Sequence, residues 1–275
     1  MMNIGDVTGI GWRADAARRD GVVHARVLAA LSASLYVDAA GEVLWIGERE
    51  ATAHARAIHV AAMPEGCEVG ARVSVAVPGG LVAWRPADGP ATAEAARALR
   101  RGAARLAARA ATLGPPRGFG SWLAGAPLAF PLQAAGGRAD TLARACAADD
   151  PPRAAEAATA LLGLGPGMTP AGDDFAGGAF FARALLARAG ACDAAGWRDA
   201  ADAVRAAAAR LTHPIGAALL GDLLVGEGWA ALHDLAAALA RDDEPAALEA
   251  ARRLTRLGHS SGWDLLAGFV AGARG

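Results

Sequence analysis

The sequence predicts an α+β protein, with a β-rich N-terminal domain (a small sandwich or a partly closed barrel) followed by a mainly α-helical C-terminal domain. Short apolar runs separated by turn residues fill the first 90 residues. After Pro90 the chain is rich in Ala, Leu and Arg, which favour helices. Because 275 residues suffice for two modest domains, we place them at 1–90 and 91–275.

The N-terminal part contains about six predicted strands. Two pairs have the spacing of hairpins, since turn residues separate them: Ala39-Ala40-Gly41 in the first pair and Pro78-Gly79-Gly80 in the second. The first hairpin joins 34–38 to 42–46, the second joins 72–77 to 81–84, and further strands are predicted at 22–27 and 57–61.

The C-terminal part is predicted to be a set of helices with short connections, which favour antiparallel neighbours. The segment 118–131 is predicted to be a loop with a short strand at 128–130. The predicted helices are 91–113, 139–148, 153–162, 174–189, 197–211, 215–224, 230–241, 245–257 and 263–271.

Composition excludes several functional classes. All 27 basic residues are Arg, so there is no lysine for a Schiff base or a phosphate-binding P-loop. No basic face for nucleic acid stands out in the sequence, and the formal net charge of −1 also argues against a nucleic-acid partner. The three cysteines are scattered along the chain, so we expect no disulfide framework. The sequence has no signal-peptide pattern and no long apolar run, so we expect a cytoplasmic protein without a membrane partner.

The densest group of special residues is GLGPGMTPAGDDF, from Gly163 to Phe175, between two predicted helices. Thr169 followed by Pro170 predicts an N-cap and a first helical residue. Gly165 and Gly167 allow the backbone to approach a ligand closely. Because amides at a helix start attract anions, residues 169–172, including Gly172, are predicted to bind phosphate or carboxylate.

Asp173 and Asp174 follow directly and would repel a bare anion. Carboxylates beside phosphate are typical Mg²⁺ ligands, so both are candidate catalytic residues and Mg²⁺ ligands. The alternative is that both merely complement the helix dipole.

A second junction, GHSSGWD from Gly258 to Asp264, repeats the pattern G-x-D-x-x-x-G. Ser260, Ser261 and Asp264 are therefore candidate substrate-binding residues, although Ser261 and Asp264 also have the spacing of a capping box. Glycines within both helices would let the helices approach closely. We expect a site for a small anionic substrate between the two helix starts.

A third helix start, Thr212-His213-Pro214, adds Thr212 as a candidate binding residue and His213 as a candidate acid–base group. An ordinary surface histidine is the alternative for His213. The segment Gly118-Phe119-Gly120-Ser121 is a further candidate source of backbone donors.

The two glycine-rich motifs resemble the bacterial family of AllH, a subunit of oxamate carbamoyltransferase. The resemblance covers roughly residues 142–272. It implies a subunit that works with an AllF (FdrA-like) and an AllG partner to transfer a carbamoyl group between phosphate and oxamate in allantoin breakdown. The family commonly has Ser where this chain has Gly216, which puts the substrate in doubt. A non-catalytic binding or scaffold subunit is the alternative.

Overall fold

The computed structural model describes residues 2–48, 53–64, 66–87 and 89–274. The chain divides into two compact units, Met1–Pro86 and Ala87–Gly275. The first contains the strands and the second contains most of the helices, so the predicted α+β class is confirmed.

The N-terminal unit is a single curled sheet of seven strands in the order β1-β7-β3-β4-β5-β6-β2. The predicted hairpin is confirmed, because β4 and β5 pair antiparallel with Tyr36 opposite Trp45. A short helix, α1 (Trp12–Ala16), follows β2. The strands are β1 Met2–Ile4, β2 Val7–Ile10, β3 Val22–Leu31, β4 Ser34–Ala39, β5 Glu42–Gly47, β6 Ala57–Val60 and β7 Arg72–Ala76.

The second predicted hairpin is wrong. Strand β7 pairs with β1 on one edge and with β3 on the other, so 81–84 has no free edge to join. Val82 is 88% exposed, and only Trp84 forms an isolated bridge, to Gly11. Strands β1 and β2 were not predicted, because each has only three or four residues.

The C-terminal unit is helical, and each predicted helix has an observed counterpart. Residues 128–130 form no strand, contrary to the prediction. The helices are α2 Ala93–Ala108, α3 Phe119–Leu123, α4 Gly136–Ala147, α5 Pro151–Thr159, α6 Ala171–Arg188, α7 Ala194–Leu211, α8 Pro214–Leu223, α9 Ala230–Ala240, α10 Glu244–Leu254 and α11 Ser261–Gly272, with 3₁₀ turns at Ala110–Leu113 and Gln133–Ala135.

Side-chain caps explain where several of these helices begin. Thr92, Asp150, Asp193 and Asp243 each accept a hydrogen bond from a backbone N–H two or three residues later. Among the described helices, none has the length and apolar character needed to cross a membrane.

Helices α6 and α11 form the centre of the helical unit. Nearly all of α6 is buried, and α11 is buried from Gly262 to Gly272. A helix that is apolar all round belongs in a core, so the other helices pack around this pair. The two glycine-rich junctions lie at the starts of these two helices, where they position the site.

Candidate active site

Small residues let α6 and α11 pack backbone against backbone. A Cβ at Gly268 would collide with the carbonyl oxygen of Phe175, and a Cβ at Gly272 would collide with that of Ala179. Both contacts advance along the two helices in the same direction, so the helices run parallel and their starts lie at the same end. The predicted close approach is confirmed.

The two helix starts are joined by a hydroxyl–hydroxyl hydrogen bond. Thr169 Oγ1 lies 3.2 Å from Ser261 Oγ. The prediction that Thr169 is the N-cap is wrong, since α6 begins at Ala171 with Pro170 as its N-cap. The physical reason is that the Thr169 hydroxyl bonds to the neighbouring helix start rather than to its own backbone.

The glycines of the repeated pattern occupy matching places. A Cβ at Gly172 would collide with the carbonyl oxygen of Leu161, and a Cβ at Gly262 would collide with that of Leu254. Each helix therefore starts directly against the end of the preceding helical segment, and only glycine fits at its second position. The repeated sequence pattern corresponds to a repeated structure.

The backbone amides at these positions are already bonded within the chain. Gly172 N donates to the carbonyl oxygen of Leu164 (2.9 Å), and Gly262 N donates to that of Leu257 (3.1 Å). Pro170 has no N–H to offer. The expectation that residues 169–172 present a row of free amides to an anion is therefore wrong for Gly172 and Pro170.

Asp174 and Asp264 lie at the matching position of the two helices and are both buried, with exposures of 6% and 0%. The Ser261 hydroxyl donates to the Asp174 carboxyl group. One oxygen of each carboxyl, Oδ2, is buried without a hydrogen-bond partner. Because an unpaired buried polar atom is costly, these two oxygens mark a place where a proton or a ligand is expected.

The other oxygen of Asp264 is held by the segment before α3. Phe119 N donates to Asp264 Oδ1 at 2.6 Å, and the Ser260 hydroxyl also donates to this carboxyl. Gly118 has φ +52°, and a Cβ there would collide with the same carboxyl. The segment 118–121 thus supplies one backbone donor, as expected, but to Asp264 of this chain.

Burial changes the acidity of the pair. Desolvation raises the pKa of Asp264 to about 7, while the hydrogen bonds from Phe119 and Ser260 oppose this effect. Desolvation, and then the negative charge of Asp264, raise the pKa of Asp174 well above its usual range. Two coupled carboxyls of this kind hold a proton near neutral pH and are able to donate or accept it.

Both carboxyl oxygens of Asp173, unlike those of Asp174 and Asp264, accept hydrogen bonds from this chain. Its Oδ1 accepts from Gly163 N at 2.8 Å, and its Oδ2 accepts from the Thr212 hydroxyl. Burial raises the pKa of Asp173, and these two bonds oppose the rise. Asp173 therefore ties the glycine-rich loop to the start of α8, and Thr212 serves this tie.

Gly216 lies beside this tie. A Cβ at Gly216 would lie 2.8 Å from Asp173 Oδ2 and 3.0 Å from Thr212 Oγ1. A side chain at this position would therefore lie among the same groups.

The remaining candidates have different surroundings. His213 is exposed and caps α8, because its Nδ1 accepts from Ile215 N at 3.2 Å. The structure thus gives His213 a structural contact and does not bring it into hydrogen-bond contact with the carboxyl pair. Arg117 was not predicted from the sequence: its guanidinium donates to the carbonyl oxygen of His259 (3.0 Å) beside the second junction.

Two glycines of the glycine-rich loop, Gly165 and Gly167, have different surroundings. Gly165 has φ +105° and packs against the backbone of Ala171, whereas Gly167 has φ +99° and faces open space among the described residues. The described residues contain no group of three or more His, Cys, Asp or Glu placed to hold a metal ion.

Comparison with known proteins agrees with the two motifs. Residues 161–273 match the family of the oxamate carbamoyltransferase subunit AllH. The resemblance indicated by the sequence is confirmed for this part of the chain. No curated protein and no solved structure is found to match.

The AllH match contains both helix starts. It therefore includes Asp173, Asp174 and Asp264 together with the hydroxyls of Thr169 and Ser261. The matched family is described as a subunit of oxamate carbamoyltransferase, and a subunit of this kind belongs to a complex of several chains.

Proposed function

We propose that this chain is the AllH-type subunit of an oxamate carbamoyltransferase-like complex, and that the paired starts of α6 and α11 carry its chemistry. The observation that supports this most is that the AllH match contains both Asp174 and Asp264, whose unpartnered, buried oxygens lie at adjacent helix starts. Catalytic sites commonly contain carboxyls whose acidity is perturbed by burial.

The reaction requires a proton to move. When oxamate takes a carbamoyl group from carbamoyl phosphate, a C–N bond forms, the C–O bond to phosphate breaks, and the oxamate nitrogen loses a proton. In the reverse direction, phosphate attacks the carbamoyl carbon and the departing nitrogen regains a proton. We assign this proton transfer to the Asp174–Asp264 pair, because a group that titrates near neutral pH is suited to both directions.

The surrounding residues would bind and orient the anionic substrate. Gly167 lies at the open tip of the loop, and Arg117 places a positive charge beside the second junction. Ser260 and Ser261 orient the two acids, and Thr169 joins the two starts. In this proposal the hydroxyls position the carboxyls, and the loop with Gly165 and Gly167 contacts the substrate.

The proposal also includes partners and a cation. The AllF-like (FdrA-like) and AllG-like subunits would complete the complex, as the resemblance implies. Asp173 and Asp174 are the residues proposed for Mg²⁺; both oxygens of Asp173 already accept hydrogen bonds, and Asp174 would bind the ion only after losing its proton.

A non-catalytic scaffold subunit is the second candidate function, and two observations favour it. The amides of Gly172 and Gly262 and both oxygens of Asp173 are bonded inside the chain. Glycines that bring α6 and α11 into contact also serve as packing devices. In this case the glycine-rich junctions would stabilise a surface for the AllF-like and AllG-like partners.

Carbamoyl transfer from carbamoyl phosphate to oxamate tests the assignment. Phosphate release and oxalurate formation are measured for this chain alone and for its mixture with both partners, with and without Mg²⁺. Activity in the mixture only is the expected result. No activity in either sample, with all three chains folded, would contradict the oxamate assignment.

Ligand-induced stabilisation separates the catalytic role from the scaffold role. Oxamate and carbamoyl phosphate are expected to raise the thermal unfolding temperature of the chain or its complex, because a ligand that binds only the folded state stabilises it. Asp264→Asn should reduce that rise, whereas Asp199→Asn, an exposed control on α7, should not. No rise in any of the three proteins would favour the scaffold, whereas an equal rise in all three would show that Asp264 takes no part in ligand binding.

A further inference from the structure

A second cavity lies apart from the paired helix starts, between α6 and α7 and the end of α8. It encloses about 380 Å³ and opens to solvent. This volume falls in the usual range for small-molecule sites. Ala184, Ala187 and Val225, which are half-buried or exposed, contribute apolar wall, so the cavity has room and surface for a small organic molecule.

Four of the lining side chains are guanidinium groups, against a single carboxylate, Asp202. Arg205 is paired with that carboxylate at 2.6 Å. Arg188 donates to the carbonyl oxygen of Val225, and Arg198 is exposed. Among the described residues, neither Arg188 nor Arg198 forms an ion pair, so the cavity carries unbalanced positive charge.

The fourth guanidinium, Arg183, is buried to 1% exposure. Its terminal nitrogens bond to Asp149 and to the Cys146 carbonyl oxygen, and its Cζ lies over the Trp197 ring, 4.5 Å from the ring centroid. These contacts fix its position. Its Nε–H has no hydrogen-bond partner in the described structure, which is a costly state for a buried donor.

We propose that this cavity is a binding site for a small organic anion that combines a carboxylate or phosphate group with a flat apolar body. Arg188 and Arg198 supply the charge, and planar guanidinium groups suit both kinds of oxyanion. The apolar body packs against the wall formed by Ala184, Ala187 and Val225. This site is independent of the carbamoyl-transfer proposal, because it shares none of the residues assigned to that reaction.

Calorimetry on the full chain with matched probes tests the site. Phenyl phosphate and benzoate carry the anion and the flat body, benzamide lacks the charge, and inorganic phosphate lacks the body. We expect phenyl phosphate and benzoate each to bind saturably, with one molecule per chain. Added salt should weaken this binding, because it screens the charges. If phenyl phosphate binds more tightly than benzoate, phosphate is the preferred group, and in the opposite case carboxylate is.

Variants locate the binding. Arg198→Ala should weaken the affinity for the probe by at least about tenfold, which is the usual effect of losing a charge-assisted hydrogen bond. Ala194→Trp, at the exposed first residue of α7 on the cavity wall, should block it. Arg210→Ala, on the same helix but outside the cavity, is the matched control and should leave the affinity unchanged.

Three results would overturn the proposal. Benzamide would bind as tightly as benzoate only if the charge is irrelevant, and inorganic phosphate would bind as tightly as phenyl phosphate only if the apolar wall is unused. Equal effects of Arg198→Ala and Arg210→Ala would show that the probe binds elsewhere. Near-ultraviolet circular dichroism of each variant verifies that it is folded.

Discussion

Asp174 and Asp264 are structural equivalents: each is the fourth residue of its helix, two residues after a glycine that abuts a backbone carbonyl. Because α6 and α11 run parallel, the two acids come together at one end of the pair. Burial and mutual repulsion both disfavour the doubly charged state. The internal repeat thus produces a carboxyl pair with a retained proton.

Replacing either acid by its amide tests the proposed chemistry. Asp264→Asn and Asp174→Asn should each lower carbamoyl transfer in the reconstituted complex by about a hundredfold or more, the usual contribution of an acid–base group. Phosphate release is the measurement, and Asp199→Asn on exposed α7 is the control. Full activity in both amide variants would exclude the pair from catalysis.

The pair also predicts how stability depends on pH. The pKa of Asp264 is raised to about 7, so the folded state keeps a proton that the unfolded state releases. The free energy of unfolding should therefore fall as pH rises from the unfolded-state pKa to the folded-state pKa, by roughly 3 kcal/mol between pH 5 and pH 8.

Urea unfolding at the two pH values measures this effect. Asp264→Asn should reduce the loss and make the protein more stable than the wild type at pH 8, because an amide does not ionise. Asp199→Asn should retain the wild-type loss. A wild type that is as stable at pH 8 as at pH 5 would show that Asp264 is not buried in this way.

The close contact of α6 and α11 predicts opposite effects for two glycine substitutions. Gly268→Ala should destabilise the protein by about 2 kcal/mol or more, since its Cβ would collide with the Phe175 backbone. Gly221→Ala on α8 should stabilise it by up to about 1 kcal/mol, because its Cβ meets only Arg205 Nε at 4.0 Å. Thermal unfolding compares them, and a Gly268→Ala protein as stable as Gly221→Ala would contradict the packing.

The tie between α6 and α8 predicts a further difference. Thr212→Val removes the hydroxyl that donates to Asp173 and should cost about 1.5–3 kcal/mol. The cost should be larger at pH 8 than at pH 4, because the hydroxyl favours the charged carboxyl. Thr141→Val, which loses two exposed hydrogen bonds, one to the Gly137 carbonyl and one from Arg144, is the control in urea unfolding. Equal costs for both variants would refute the tie.

Local signals predicted much of the fold, and non-local pairing explains the errors. The hairpin of β4 and β5 is confirmed because its turn, Ala40-Gly41, lies directly between its strands. The alternation in 81–84 resembles a strand, but β1 occupies the edge of β7 that a hairpin partner would need. A parallel pairing between residues some seventy positions apart leaves no local trace in the sequence.

In the candidate site, too, local sequence patterns predicted some features, while contacts between distant residues were not predicted. The repeated G-x-D-x-x-x-G pattern predicted that two helix starts approach each other, because only glycine permits backbone contact. The sequence did not show which hydroxyl bonds to which acid. Ser261 lies near Asp264 in sequence but donates to Asp174, and Thr169 bonds across 92 positions. These contacts depend on the parallel arrangement of the helices.

The most direct test of the central claim is a pH titration of the aspartate side-chain carboxyls, observed by carbon NMR in the folded wild type and in Asp264→Asn. The account predicts one carboxyl that titrates near pH 7 in the wild type and is absent from Asp264→Asn. If every aspartate of the wild type titrates at its ordinary acidic pKa, the two helix starts do not hold a shared proton and the proposed acid–base role is contradicted.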